Sequence, residues 1–194
     1  STPESLDSRA TGNLSFIRPS FDGSLALVAF GLPQTPSFAI FIAGTKSWMS
    51  LPPGATAVAW DPKSNNRLIY LKDAGAVSQL YYFTLADKRS KLITSFAGKD
   101  LDLDWSFADT LYLTQRPSAR IAGSVWSYNL KTGAIQTIAR EESGLVIKWN
   151  PVEKNGLRWS FGQLSLIDQN NKTLGNILLK TLPPQCAFRT MNIY

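Results

Sequence analysis

The chain has 194 residues, 44% of them hydrophobic and 18% charged, a balance that suits a folded protein with a sizeable core and not a disordered one. One cysteine and no histidine are present, which excludes an internal disulfide, a cysteine-rich zinc site and any Ser-His-Asp, Cys-His or HExxH chemistry carried by the chain itself. Lys and Arg outnumber Asp and Glu by 20 to 14, and the whole excess lies in the second half: residues 1–109 hold ten of each sign, residues 110–194 ten basic and four acidic.

The opening "STPESLDSRATGN", residues 1–13, is small and polar and lacks an initiating Met; it reads as a flexible leader or linker, and the chain as a segment of a longer protein. From Leu14 four segments align: "SFIRPSFDGSLALVAF", "AVAWDPKSNNRLIYL", "LDLDWSFADTLYLTQ" and "LVIKWNPVEKNGLRWSF". Each is a short strand ending in a bulky residue, a polar turn and a second strand. The bulky positions are Ile17, Trp60, Trp105 and Trp149, spaced by 43, 45 and 44 residues. Each pair is followed by another strand and turn, with turns "GTK", "ADKR", "KTG" and "QNNK" whose Gly, Asn, Asp and Lys suit the positive φ of tight hairpins. No long helical pattern occurs. Four antiparallel strands every ~40 to 45 residues is the period of a β-propeller blade, so the expected fold is all-β, with four-stranded blades over roughly 14–54, 55–98, 99–142 and 143–183. A fifth blade is expected to begin at 184, with Phe188 falling 39 residues after Trp149 and Cys186 buried as a small apolar residue on its first strand.

"AWDPKSNNRLIYL" and "KWNPVEKNGLRWSF" resemble the W-S-P-D-G-K-x-I-A-F pattern of TolB-type and related WD-like propeller repeats, and "VWSYNLKTGAIQTI" is similar to their outer hairpin. The resemblance implies a bacterial repeat protein, a ring of which this is about two thirds, and an extracytoplasmic or periplasmic setting, with anchoring through a part upstream of Ser1 as one arrangement. It also implies a non-catalytic scaffold that binds a protein, peptide or glycan through rim loops and the channel mouth. The alternative it offers is the gating propeller of a serine hydrolase or peptidase whose catalytic domain lies outside this chain.

The residues give site candidates of their own. Asp100, Asp102 and Asp104 alternate with Leu101, Leu103 and Trp105, which on a strand puts three carboxylates on one face. A cation site is one reading; the other, a water-lined channel face with Asp104 opposite Lys148, fits better because the turn and distal Glu of a calcium loop are absent. The tryptophans at blade spacing read as wedges between packed sheets. Among the outer-strand aromatics Tyr81, Tyr82, Trp126 and Tyr128, where one of each neighbouring pair must point outward, Tyr82 and Trp126 are candidates for a partner surface. The longest break between paired strands, "TQRPSARIAGS" at 114–124, offers Arg116 and Arg120 as grips for a carboxylate or phosphate. Basic residues are otherwise dispersed singly, which argues against a nucleic-acid partner. No apolar run approaches the roughly 18 residues a membrane helix needs, no phosphate-loop, dinucleotide or nucleophile-elbow motif occurs, and no cofactor is expected.

Overall fold

The computed structural model describes residues 13–32, 35–115, 122–160 and 162–177. Residues 1–12 of the expected leader 1–13, and the expected fifth blade from 184, lie outside them. The described residues form sixteen strands and no helix, hydrogen-bonded into four separate four-stranded antiparallel sheets, each a meander in chain order. Blade one is β1 (Leu14–Pro19), β2 (Leu25–Phe30), β3 (Ser37–Ile42) and β4 (Ser47–Ser50). Blade two is β5 (Ala55–Trp60), β6 (Arg67–Ala74), β7 (Val77–Thr84) and β8 (Arg89–Ala97). Blade three is β9 (Leu101–Phe107), β10 (Thr110–Gln115), β11 (Gly123–Asn129) and β12 (Ile135–Glu142), and blade four β13 (Val146–Asn150), β14 (Asn155–Ser160), β15 (Gln163–Asp168) and β16 (Thr173–Ile177). The chain is thus an all-β protein of four four-stranded β-propeller blades, in two compact units, 1–108 and 109–194.

In the first unit the alternation of apolar residues decides which face of each blade is buried. Leu27 pairs with Ile40 across β2 and β3, and both are fully buried in one cluster with Val58, Leu68, Tyr70 and Phe83 of blade two. Trp60 packs against that cluster and donates its indole N–H to the Arg18 carbonyl of blade one at 3.0 Å, so the apolar ring is covered and its polar edge satisfied. Ile17, the counterpart of Trp60, pairs with Val28 on the opposite face of blade one from Leu27 and is 58% exposed. Trp105, at the same place on β9, is buried against Tyr82 of blade two, ring centroids 6.1 Å apart.

The turn after each first strand is also chemically determined. Asp61 precedes Pro62 and accepts the Lys63 backbone N–H at 2.8 Å; Asn150 precedes Pro151 and accepts that of Val152 at 3.0 Å. These are the same Asx turn in two blades, with proline preset for the corner. Blade one builds its version from Asp22, whose carboxyl is held below the usual carboxylate range by hydrogen bonds from the Ser24 hydroxyl and then the Ser24 amide. Buried Asp61 additionally accepts Arg67 Nε at 2.7 Å, and the Arg67 guanidinium lies over the rings of Tyr82 and Trp105, 5.1 and 5.6 Å from their centroids. A charge that would be costly alone is thereby paired and roofed by aromatic faces.

In the second unit Trp149 of blade four stacks on Tyr112 of blade three, centroids 4.1 Å apart. The Tyr112 hydroxyl donates to the Gln169 carbonyl at 3.0 Å. Arg158 and Glu142 form a bidentate, largely buried pair between the same two blades, and Asn171 accepts from Arg158 Nη1 while donating to the Ile138 carbonyl.

Candidate functional site

The carboxylate row begins at Asp102, two residues later than the sequence pattern suggests. Leu101, Leu103 and Trp105 are buried and the side chains of Asp102 and Asp104 lie on the other face of β9, but Asp100 precedes the strand with φ of 55°. Gly98, with φ of 106°, and Asp100 turn the chain out of blade two, so the third carboxylate is not in the alternating row. Asp104 accepts the Ser106 hydroxyl, and Lys148 on β13 is exposed. Among the described residues no three His, Cys, Asp or Glu side chains gather as a metal ion would need.

Tyr82 is half-buried and spends its ring on Arg67 and Trp105, which makes it part of the packing between blades two and three. Arg116 and Arg120 lie outside the described residues. Trp126 is half-buried on β11 and lines an open cleft of about 830 Å³ together with Gln115, Ala122, Ser124, Thr137, Arg140 and Glu141. The cleft therefore sits where β10 leaves blade three and β11 returns, at the two ends of the loop singled out in the sequence.

Two irregularities in β12 shape it. Between the pairs Gly123↔Glu142 and Val125↔Ala139, Ser124 on β11 stands opposite both Arg140 and Glu141 on β12. Between Val125↔Ala139 and Trp126↔Thr137 a further residue, Ile138, has no counterpart. Such bulges bend a strand and re-aim its side chains. Glu141 takes φ of 51°, and the buried Ser124 hydroxyl accepts its backbone N–H at 3.0 Å. Arg140 and Glu141 make an exposed pair at 3.6 Å, worth little as a stabilising contact and thus open to exchange for a ligand's charges. Gly123 is required here because a Cβ would fall 2.9 Å from that of Leu145. The arrangement offers one aromatic face, three amide or hydroxyl side chains, a cation and an anion: the means to stack a flat surface and to hydrogen-bond a polar chain. Among its described lining residues no nucleophile is paired with a base.

Trp126 and the neighbouring loop were legible as candidates in the sequence. Gln115 and Ser124 stand at the ends of that loop, whereas Thr137, Arg140 and Glu141 were not legible, because their convergence on it depends on the two bulges, which leave no mark in "IQTIAREESG" beyond its polarity.

No family model matches the sequence, and no curated protein matches it. Among the similar solved structures are TolB from Acinetobacter baumannii, 18% identical over 89% of this chain and 44% of that one, TM-score 0.57, and a putative TolB from Agrobacterium tumefaciens, 11% identical over 87% of this chain and 67% of that one, TM-score 0.61. A third is the β-propeller domain of the Trilobed protease from Pyrococcus furiosus, described as having an open velcro topology, 13% identical over 89% of this chain and 58% of that one, TM-score 0.55. The chain spans less than half the length of the first. At these identities the likeness is one of fold: a β-propeller of the kind found in TolB-type proteins and in peptidase propeller domains. Among the described residues no helix is long and apolar enough to cross a membrane.

Proposed function

We infer that this chain is a non-catalytic interaction scaffold that binds a protein, peptide or glycan at blade three, in the cell envelope. The observation that carries the reading is the cleft in which Trp126 meets Gln115, Ser124, Thr137, Arg140 and Glu141. An aromatic face beside hydrogen-bonding and charged groups, paired to a strand bulged twice at that spot, suits recognition of a polar chain. Arg116 and Arg120, in the loop between Gln115 and Ala122, are proposed to add positive charge for a carboxylate or phosphate of the partner. The extracytoplasmic placement rests on the resemblance to TolB-type proteins. The test is to screen the chain on glycan and peptide arrays, then measure the affinity of any hit for wild type, Trp126→Ala and Arg140→Ala. The reading expects at least a tenfold loss in Trp126→Ala, since stacked aromatics carry much of such binding; a hit unaffected by both changes would place recognition elsewhere.

A second reading has its own support. The likeness to the propeller domain of the Trilobed protease suits a propeller that serves a catalytic domain outside this chain. Coding sequence after Tyr194 that contains a GxSxG elbow and a later histidine would favour it over a free-standing scaffold.

A further inference from the structure

One face of blade four is largely apolar and open. On it Val146, Trp159, Leu164 and Ile177 form a row across all four strands, each opposite the next, and in the row beside it Leu157 lies between exposed Lys148 and Leu166. The opposite face carries Ile147, Gly156 and Ile167, all buried, and Trp149, which stacks on Tyr112 of blade three.

The repeat shows what the open face is for. Counting back from each outer hairpin, Leu157 occupies the place held by Leu27, Ile69 and Tyr112: each pairs with the third strand two residues in from the turn. Those three are 0%, 0% and 2% exposed, whereas Leu157 is 43% exposed. Leu27 is covered by the core shared with blade two, and Tyr112 by Trp149 of blade four. On the covering side the pattern is equally regular. The aromatics Trp60, Trp105 and Trp149 reach back to the preceding blade, and the residues two before them, Val58, Leu103 and Ile147, are 3%, 5% and 7% exposed.

We propose that the segment 184–194 of this chain lies over the open face of blade four as the first strand of a further blade, with Phe188 against Leu157. Phe188 follows Trp149 by 39 residues, four fewer than the shortest spacing between the earlier counterparts, and the position two before it is Cys186. The proposal therefore puts the one thiol of the chain at the place of Val58, Leu103 and Ile147, turned toward blade four. It stands independently of the binding role assigned to blade three.

The thiol is its own reporter. In the folded 194-residue chain, Cys186 should react with a disulfide reagent such as DTNB at least tenfold more slowly than in the guanidinium-unfolded chain, at a rate independent of protein concentration. Leu157→Asp, which changes an exposed side chain, should restore most of the unfolded rate while the circular dichroism of the sheets is retained. A second variant guards against a change in folding: with Cys186→Ser, Leu157→Cys and Phe188→Cys combined, an intramolecular disulfide should form in the monomer. Native reaction at the unfolded rate would overturn the proposal, as would a monomer that forms no such disulfide. Protection that grows with protein concentration, or a disulfide found only between chains, would overturn it in favour of a second copy on this face.

Discussion

The indole of Trp149 lies over the phenol of Tyr112 with ring centroids 4.1 Å apart and planes inclined by 27°, and the other edge of the same indole rests on Gly156 across the strand pair β13/β14. A Cβ on Gly156 would fall 2.7 Å from the indole Cε3 and 3.2 Å from the Lys148 carbonyl. The glycine is thus the floor of the aromatic's seat. Trp149→Ala should cost about 3 kcal/mol, and Gly156→Ala about 1–3 kcal/mol through overpacking, both read from urea titrations. In a Trp149→Ala background the second change should cost clearly less, since the residue it collides with is gone; equal costs in the two backgrounds would show that the seat is not shared.

Arg158 and Glu142 join blades four and three by two parallel hydrogen bonds, with side chains only 19% and 13% exposed. Removing one partner leaves a buried charge without its counterion, so Arg158→Met should cost about 3 kcal/mol. Glu142→Met combined with Arg158→Met should recover most of that loss, because two apolar side chains at the site carry no such penalty. A double variant no more stable than Arg158→Met would refute this account of the pair.

The parts of this fold that were legible in the sequence are those set by local chemistry and repetition. Trp60, Trp105 and Trp149 at constant spacing announced the blades, and Asp61-Pro62 and Asn150-Pro151 announced the turns. What sequence could not give is which neighbour each face meets. Tyr82 had the look of a surface aromatic, yet Arg67, fifteen residues earlier, and Trp105, in the next blade, occupy its ring. Likewise Asp100 fits an alternating row by residue type, but the backbone must turn at that point to leave blade two, and it does so with φ of 55°. The cleft beside Trp126 depends on register shifts in β12, which arise from pairing across strands and not from any residue pattern.

Each outer hairpin contains one residue in the left-handed region: Lys46 at 49°, Lys88 at 54°, Gly133 at 72° and Asn171 at 66°. Only blade three places the conformationally free residue there. Lys46→Gly and Lys88→Gly should each raise stability by up to about 1 kcal/mol by relieving the clash of Cβ with the following carbonyl, the greater freedom of glycine in the unfolded chain offsetting part of the gain. Gly133→Lys should lower stability by a similar amount. Thermal melts of the three variants compare them directly, and a fall in Tm for both glycine variants would mean that the lysine side chains make contacts worth more than the strain.

Tyr70 provides the pH dependence. Its ring is stacked on Tyr81, centroids 5.1 Å apart, and its hydroxyl donates to Ser90 Oγ at 3.0 Å. Burial pushes this hydroxyl above the ordinary tyrosine range, against a smaller lowering by Ser90. The folded chain therefore holds the proton more tightly than the unfolded one, and Tyr70 contributes stability that is fully present below the unfolded value near 10 and is lost as pH rises through the folded value. Tyr70→Phe removes the hydrogen bond, at a cost of about 1 kcal/mol or less near neutral pH, but it also removes the titration. Its stability should consequently fall less steeply than that of wild type above pH ~10, so that the two curves converge. Parallel alkaline limbs, measured by urea unfolding at successive pH values, would show that another group governs the loss.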